Sequence, residues 1–302
     1  MINSLEQLEG LQKEVTLANY TTWNIGGKAT YFWTPVLEQL PYVLNFCTRN
    51  QIPVWFLGRG SNVLIDSKGL NGLVICTKKA LQNIEVKDNI ITAEAGVPMP
   101  KLSKFAANLG WGGYEYLIGI PGTVGAGIAI NAGLTAKGRR EIGDVLIEAE
   151  LMDSEGNRWW ECKEELQLGY RCSNISKRGL FVLKARFKAT YRSTGKEIKH
   201  KTALHLADRR RKQPLSKATA GSTFKQPEGG KPAGWYIDRA GLKGYRVGGA
   251  KVSEKHANWI ENVDNATSDD VNKIIDQVIE RVCRKFNTIL EKEINYLCKI
   301  NE

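Results

Sequence analysis

The chain has 302 residues, of which 42% are hydrophobic and 25% are charged, a balance typical of a folded globular protein. Its length predicts two or three compact domains. No apolar run approaches the roughly 18 residues that a membrane span needs, and the polar, acidic start lacks the form of a signal peptide. We therefore expect a cytoplasmic protein without a membrane segment.

The formal net charge of +11 first suggests a nucleic-acid partner. The basic residues are scattered, however, apart from Arg139 with Arg140 and the run at 209–212, and the eight tryptophans form no stacking stripe among them. A small ligand with several phosphates would also gain from a positive field. Nucleic-acid binding is therefore only a distant interpretation. The six cysteines contain no Cys-x-x-Cys pair. His200 and His205 are close in sequence but would not share a face of a helix, so no metal site is predicted.

The first two thirds of the chain show alternating helix and strand patterns. Apolar periodicity predicts helices over residues 40–48 and 100–109. Alternating or continuous apolar runs predict strands over residues 53–57, 73–77, 90–93, 145–151, 158–162 and 180–191. The strands at 145–151 and 158–162 flank a turn at 153–156 and are expected to form a hairpin.

The last third follows a polar stretch. Residues 191–200 contain few apolar side chains, so we place a domain boundary there, followed by a basic helix and a glycine-rich region over 221–249. The strongest helix signal is an apolar stripe behind a start signal at Thr267 and Asp270. The stripe consists of Val271, Ile274, Ile275, Val278, Ile279, Val282 and Phe286.

The segment GIPGTVGAGIAINAG at 119–133 is the most informative part of the chain, because five of its fifteen residues are glycine. Glycine allows close approach of the backbone to a ligand, at an entropic cost. Five glycines are more than a helix or strand built only for packing is expected to carry. The segment therefore predicts a ligand-binding loop, with a tight turn beside a core strand as the alternative.

A second glycine loop, GRGSN at 58–62, directly follows the predicted strand at 53–57. Such a turn directs successive backbone amides into one concavity that suits a phosphate or diphosphate. The pattern matches neither the Rossmann fingerprint nor the P-loop. A hairpin turn would also use these residues. Together the two loops indicate a dinucleotide held outside the two common folds.

The reactive candidates are weak when each is taken alone. AGSTFK at 220–225 carries a hydroxyl and an ammonium three residues apart, but a serine in a turn is the plainer interpretation. GYRCS at 169–173 is compatible with a surface Tyr-Arg pair, and LEKEI at 290–294 with an exposed charged strand.

The order of the motifs carries more information than any one of them. Along the chain stand TTWNIGGKA at 21–29, GRGSN at 58–62, the glycine-rich segment at 119–133, GYRCS at 169–173, AGSTFK at 220–225, GLKG at 241–244 and VSEKHAN at 252–258. This succession closely resembles the UDP-N-acetylenolpyruvoylglucosamine reductase family, over about residues 21–294.

The resemblance implies an α+β fold. An FAD-binding region of two subdomains, of the vanillyl-alcohol-oxidase type, precedes an α/β substrate-binding subdomain, and we place these parts over residues 1–77, 78–195 and 196–302. The resemblance also implies non-covalent FAD, NADPH as the electron donor and a UDP-sugar substrate in peptidoglycan precursor synthesis. The short interval between Arg171 and Ser222 resembles the compact form of the family. We expect a monomer that binds small molecules only.

The resemblance assigns three catalytic residues. Arg171 matches the arginine that faces the substrate carboxylate, and Ser222 matches the donor that protonates the enolate carbon. Glu293 matches a C-terminal glutamate that polarises the enol. Glu291 would share its face in an extended segment but lies about 7 Å away along the strand.

Further residues carry over to binding roles. The cofactor-binding residues are Gly58, Arg59, Gly60, Ser61, Asn62, Gly119, Ile120, Pro121, Gly122, Thr123, Gly125, Asn131, Ala132 and Gly133. The substrate-binding residues are Tyr170, Arg209, Lys225, Gln226 and His256. Gln226 stands where many relatives have asparagine, and residues 294–297 lack a basic residue and a glycine often found there.

Two other classes of protein stay open. One is an FAD-dependent alcohol oxidase of the same fold, although no histidine lies near a flavin loop to tether the cofactor. The other is a non-catalytic flavin- or UDP-sugar-binding protein, for which a degenerate Arg171, Ser222 or Glu293 would be the sign.

Overall fold

The computed structural model describes residues 4–134 and 138–300. The chain divides into two compact units. The N-unit comprises Met1–Gln12, Tyr31–Arg59 and Gly72–Arg209, and the C-unit comprises Lys13–Thr30, Gly60–Asn71 and Arg210–Glu302. Within residues 4–134 and 138–300, no helix is both long and apolar enough to cross a membrane.

Helices and strands alternate along the described chain. The α-helices are α1 (Leu40–Arg49), α2 (Met99–Asn108), α3 (Val124–Ala129), α4 (Gly195–Lys212), α5 (Ala233–Arg239) and α6 (Ser268–Phe286). The strands are β1 (Gln12–Thr16), β2 (Lys28–Trp33), β3 (Val54–Leu57), β4 (Val63–Ile65), β5 (Leu70–Cys76), β6 (Ile84–Lys87), β7 (Ile90–Glu94), β8 (Trp111–Gly112), β9 (Gly133–Leu134), β10 (Arg140–Glu141), β11 (Leu146–Met152), β12 (Arg158–Cys162), β13 (Phe181–Phe187), β14 (Tyr191–Arg192), β15 (Arg246–Val247), β16 (Ala250–Val252), β17 (Ile260–Asn262) and β18 (Asn295–Leu297).

The N-unit is built on a five-stranded antiparallel sheet with the order β12-β11-β13-β7-β6. Strands β11 and β12 form the predicted hairpin, in which Leu151 lies opposite Trp159. The buried stripe of α2 and the glycine-rich α3 pack into the same core through Leu102, Val124 and Ile128. The sheet and these two helices therefore fix the start and end of the segment at 119–133.

A second core of the N-unit forms beside α1 and the parallel pair β3 and β5. Helix α1 begins with Pro41 in its first turn, where the missing backbone N–H leaves no helical bond unmade. Val43 and Leu44 on its apolar face pack with Leu73 and Ile75 of β5. This packing holds β3 and therefore the position where the loop at 58–62 begins.

The C-unit is organised around α6. Val271, Ile274 and Val278 on its apolar stripe are fully buried, and the predicted capping box of Thr267 and Asp270 is formed at its start. Strands β15, β16 and β17 form an antiparallel sheet that contributes to the same core. In the described residues β18 pairs in parallel with β4, which brings the segment before β18 beside the loop before β4.

Several sequence expectations need correction. The helices at 40–48 and 100–109 are confirmed as α1 and α2, but the strand expected over 180–191 ends at Phe187, and Tyr191 starts a separate strand that pairs with β8. The polar stretch at 191–200 already contains the start of α4 at Gly195. Only Ile198 and Thr202 of α4 are buried, so the helix lacks the apolar stripe that would reveal it.

Candidate active site

The loop at 58–62 follows β3 as expected. A Cβ at Gly58 would lie 2.6 Å from Thr123 Oγ1. Gly60 has φ +61°, and a Cβ at this residue would lie 2.3 Å from the carbonyl oxygen of Tyr20. Both glycines are thus required by close packing. None of the five backbone amides of residues 58–62 donates a hydrogen bond to another described residue.

The segment at 119–133 does not form a loop throughout. Its middle is helix α3, so the expectation that so many glycines exclude a packed helix is wrong. A Cβ at Gly125 would lie 2.8 Å from Ala95 Cβ, and one at Gly127 would lie 2.7 Å from Met99 Sδ. These glycines let α3 pack closely on its neighbours. Pro121 and Ala126 stay exposed beside them.

The ends of this segment contact polar groups of the N-unit. A Cβ at Gly119 would lie 2.6 Å from Arg209 Cδ, so the arginine packs directly on the glycine. Burial lowers the pKa of the Arg209 guanidinium to about 10, which still leaves it protonated at neutral pH. At the other end Gly133 pairs with Glu141 between β9 and β10, next to the buried Ala132. Ile120, Gly122 and Thr123 lie in the connection to α3.

Arg171 lies in a tight turn. Gly169 and Cys172 exchange two backbone hydrogen bonds of 3.0 and 3.4 Å, and Arg171 has φ +55°. A left-handed arginine is uncommon and carries strain that surrounding structure must offset. Its Nη2 donates to the Gly133 carbonyl oxygen at 2.6 Å, and its guanidinium lies over the Tyr170 ring at 5.1 Å. The predicted Tyr-Arg pair is therefore a fixed feature.

Asn131 is buried, and its carboxamide is engaged by the protein. Nδ2 donates to Glu141 Oε2 at 2.8 Å and to the Gly169 carbonyl oxygen at 2.9 Å. Oδ1 accepts from the Gly143 amide at 3.2 Å. The residue also has φ +46°, a conformation that asparagine tolerates well. Asn131 thus joins the segment at 119–133 to the turn that carries Arg171.

Ser222 lies in the C-unit, in an extended segment held on two sides. It forms a bridge with Trp259, and the next residue, Thr223, donates its amide to the Asn258 carbonyl oxygen at 2.8 Å. The Asn258 carboxamide accepts from the Phe224 amide at 3.0 Å and donates to the Phe224 carbonyl oxygen at 2.8 Å. These bonds fix the backbone on which the Ser222 hydroxyl stands.

The C-terminal segment lies beside the extended segment that carries Ser222. Lys292 bridges Phe224 in antiparallel fashion, and the Glu293 amide donates to the Thr223 carbonyl oxygen at 2.8 Å. The Glu293 carbonyl oxygen accepts from Asn62 Nδ2 at 3.1 Å, so the last residue of the 58–62 loop contacts it within the C-unit. Glu293 is therefore held beside the segment that carries Ser222.

The two glutamates of this segment have different surroundings. The Glu291 side chain is 74% exposed and forms an ion pair of 3.4 Å with Lys225. The Glu293 residue is half-buried. The ammonium of Lys225, a predicted substrate-binding residue, is thus engaged with Glu291.

Gln226 and His256 lie in the same unit. Gln226 Nε2 donates to the Gly230 carbonyl oxygen at 3.1 Å. The Asn258 amide donates to His256 Nδ1 at 3.3 Å, and a neutral imidazole in this contact carries its proton on Nε2.

Each unit brings together a different part of the predicted site. Arg171, Tyr170, Arg209 and most of the cofactor candidates belong to the N-unit, whereas Ser222, Lys225, Gln226, His256 and Glu293 belong to the C-unit. Sequence reasoning missed Glu141 and Asn258, whose side chains hold in place the segments that carry the candidates Arg171 and Ser222. Asn258 is the last residue of the motif VSEKHAN at 252–258, but its hydrogen-bond partner Phe224 is 34 residues away in sequence and is identified only in the fold.

Comparisons with known proteins cover almost the whole chain. A model described as an FAD binding domain matches residues 36–160, and one described as UDP-N-acetylenolpyruvoylglucosamine reductase, C-terminal domain, matches residues 213–297. The enzyme named UDP-N-acetylenolpyruvoylglucosamine reductase from Synechocystis is 40% identical over 291 residues, which cover 95% of this chain and 90% of the relative. The enzyme of the same name from Agathobacter rectalis is 40% identical over 300 residues and covers 95% and 94% of the two chains.

A solved structure gives the same result. The crystal structure of UDP-N-acetylenolpyruvylglucosamine reductase from Thermus caldophilus matches with a TM-score of 0.79 at 34% sequence identity. The match covers 95% of this chain and 99% of that one.

Proposed function

The chain belongs to the UDP-N-acetylenolpyruvoylglucosamine reductase family, and we propose that it reduces UDP-N-acetylenolpyruvoylglucosamine to UDP-N-acetylmuramate with electrons from NADPH. The observation that carries this proposal is the match of 95% of the chain at 40% identity, which includes both the FAD-binding and the C-terminal parts. The product is a peptidoglycan precursor.

The residues present fit FAD. The amides of residues 58–62, which donate to no other described residue, suit the diphosphate, with Arg59 as an additional cation. Pro121 and Ala126 are exposed in the segment at 119–133, while its glycines let α3 pack closely on Ala95 and Met99. We propose that the loop at 58–62 and the residues around α3 hold the dinucleotide without a covalent bond.

When bound and reduced by NADPH, FAD would supply a hydride to the terminal vinyl carbon of the substrate. Negative charge would then develop on the adjacent carbon and its carboxylate. Arg171 suits that carboxylate because a guanidinium stays protonated and presents a planar pair of donors. Two observations support this role of Arg171. Its backbone is held in a strained left-handed turn, and its guanidinium donates a hydrogen bond to the Gly133 carbonyl oxygen, which keeps the guanidinium in one place.

Ser222 is the proposed proton donor. An enolate carbon is a strong enough base to take a proton from a well-placed hydroxyl. The backbone bonds of Thr223 and Phe224 to Asn258 support this role, because they leave the Ser222 backbone little freedom to move. The serine regains its proton from solvent after the product leaves.

Glu293 is proposed to hydrogen-bond the developing enol. Two observations support Glu293 over Glu291. Its backbone is paired with Thr223, next to the proton donor, whereas the Glu291 carboxylate is exposed and engaged with Lys225.

The remaining candidates are proposed to bind the nucleotide sugar. Tyr170, Arg209, Lys225, Gln226 and His256 offer the cations, ring and amide that a sugar diphosphate requires. The three-part division at residues 77 and 195, and a monomeric state, belong to the same proposal.

The direct test is product formation. With UDP-N-acetylenolpyruvoylglucosamine and NADPH, the purified protein is expected to consume NADPH and to yield a product heavier by two hydrogens, identified by mass spectrometry. Glu161→Gln, which changes a carboxylate of the β11–β12 hairpin, is the control for general effects of mutation. NADPH consumption without this product, or no consumption by the wild-type protein with FAD bound, would contradict the proposal.

A further inference from the structure

Glu141 is a buried carboxylate that uses its two oxygens on different partners. Oε1 accepts from Arg139 Nε at 2.8 Å, and Oε2 accepts from Asn131 Nδ2 at 2.8 Å. The Glu141 side chain is 12% exposed and that of Arg139 is 50% exposed. The hydrogen bond to Glu141 raises the pKa of the Arg139 guanidinium.

Asn131 connects Glu141 to the turn that carries Arg171. The same Nδ2 group that donates to Glu141 also donates to the carbonyl oxygen of Gly169, where the turn begins. The carboxamide oxygen is held by the Gly143 amide, so the side chain cannot rotate without losing three hydrogen bonds. An aspartate could not replace it, because aspartate has no N–H to donate to a carboxylate.

Arg139 reaches the same turn from the other direction. Its guanidinium lies 5.1 Å from the centre of the Tyr170 ring, and the Arg171 guanidinium also lies 5.1 Å from that centre. Arg171 is further fixed by its bond to the Gly133 carbonyl oxygen, on the strand that pairs with the strand of Glu141. The backbone of the turn, the Tyr170 ring and the Arg171 guanidinium are thus all connected to the Glu141 carboxylate through hydrogen bonds, a cation–π contact and strand pairing.

We infer that Asn131 and Glu141 are positioning residues for Arg171, and that they hold its guanidinium in the left-handed turn where it meets the substrate carboxylate. This inference rests on the proposed function. A misplacement of about 1 Å costs on the order of 100-fold in rate at a reacting group. Glu141 and Asn131 therefore act on the step in which the substrate becomes charged, and not on the reduction of the flavin by NADPH.

The chain offers a closely matched control. Glu161 is 9% exposed at its side chain and accepts two bonds from the 40% exposed Arg178, at 2.6 and 2.8 Å. It accepts a third bond from Trp159 Nε1 at 2.9 Å. Glu141→Gln and Glu161→Gln therefore remove similar buried charges from the same unit. Similar falls in melting temperature are expected for both.

The experiment measures two half-reactions by anaerobic stopped-flow absorption. Glu141→Gln is expected to slow reoxidation of the reduced flavin by UDP-N-acetylenolpyruvoylglucosamine by about tenfold or more, with flavin reduction by NADPH changed less than about twofold. Glu161→Gln is expected to leave both rates near those of the wild-type protein.

A double mutant separates positioning from a general structural effect. In an Arg171→Lys background the planar fork is already lost, so Glu141→Gln is expected to add less than about twofold to the slowing. Full additivity of the two effects, or equal slowing by Glu161→Gln, would overturn the inference.

A second pair of variants tests the inference if Glu141→Gln does not fold. Arg139→Ala against Arg178→Ala then repeats the comparison through half-exposed partners, and equal reoxidation rates in these two variants would overturn the inference. If the wild-type flavin is not reoxidised by this substrate at all, the proposed function itself is wrong.

Discussion

Two neighbouring hydroxyls in the C-unit differ in ways that matter for the chemistry. Thr223 is fully buried, and its Oγ1 makes no hydrogen bond to another described residue. Ser222 is half-buried and follows Gly221, whose φ of +81° turns the chain. Only the serine is open to a substrate.

Ser222→Ala is expected to abolish product formation while flavin reduction by NADPH stays nearly intact. The reason is that a proton donor acts only after the hydride has left the flavin, and its loss costs about 10²–10⁴-fold. Single-turnover absorption of the two half-reactions measures both rates.

Thr223→Val is the matched control. It removes a buried hydroxyl that has no partner among the described residues, so it is expected to keep turnover and to leave stability unchanged or raise it by about 1 kcal/mol. Equal loss of turnover in both variants would contradict the assignment to Ser222.

Glu293→Gln is expected to slow the reaction with substrate by about tenfold or more, because the amide keeps the size of the side chain but loses the carboxylate. Glu291→Gln is expected to have little effect, since it removes only an exposed ion pair with Lys225. Flavin reoxidation rates decide between them. If only Glu291→Gln proved damaging, the residue register carried over from the family would be shifted by two.

The sequence allowed the reactive side chains to be proposed, but not the residues that hold them in place. Arg171, Ser222 and Glu293 stand in motifs whose order along the chain points to one family. Glu141 and Asn258 gave no signal, because a carboxylate or amide that holds a backbone across the fold looks like any polar residue in sequence.

At the scale of elements, prediction succeeded where the helix carries its own signals. Helix α6 has an apolar stripe, a capping box at Thr267 and an end at Asn287 in the left-handed conformation, and its boundaries match the expectation closely. Helix α4 has neither stripe nor cap signal, and its first turns were taken for a linker. Helix α3 was hidden by glycines that serve packing.

The stability that the capping box gives to the start of α6 depends on pH through Asp270. The Thr267 amide holds the pKa of the Asp270 carboxyl below its usual value, which makes the folded-state pKa lower than the unfolded one. Its contribution is therefore present at neutral pH and is lost as the pH falls below about 4 through the folded pKa.

The loss in melting temperature caused by Asp270→Asn is thus expected to shrink between pH 7 and pH 3. Asp269→Asn, an exposed change in the same turn, is the control and is expected to have a smaller effect. Thermal unfolding at the two pH values measures the difference. A loss that is unchanged at pH 3 would contradict the capping role of the Asp270 carboxylate.

Gly125→Ala in α3 is expected to destabilise the protein by about 1–3 kcal/mol, although alanine favours helices, because the new Cβ would overlap Ala95. Gly234→Ala in α5 is the control. Its Cβ would meet the Asn258 amide nitrogen at 3.5 Å, an ordinary contact, so it is expected to be neutral or stabilising. Melting temperatures of both variants measure the effect, and a rise for Gly125→Ala would show that packing does not require this glycine.

At the scale of the whole molecule, the expected family and the α+β fold with an FAD-binding region followed by a C-terminal domain are confirmed. The protein is accordingly an FAD-dependent reductase of peptidoglycan precursor synthesis. The net charge made this less evident, since +11 alone suggests nucleic acid. Fold and cofactor came from the order of motifs, whereas the composition of the two units, each drawn from separated parts of the chain, could not be read from sequence.

The most direct test of the whole account is an anaerobic flavin titration of the purified protein. We expect a yellow protein whose visible flavin absorption is bleached by NADPH and restored by one equivalent of UDP-N-acetylenolpyruvoylglucosamine in the absence of oxygen. A reduced flavin that stays bleached until air is admitted would contradict the account, and so would a colourless protein that takes up no FAD.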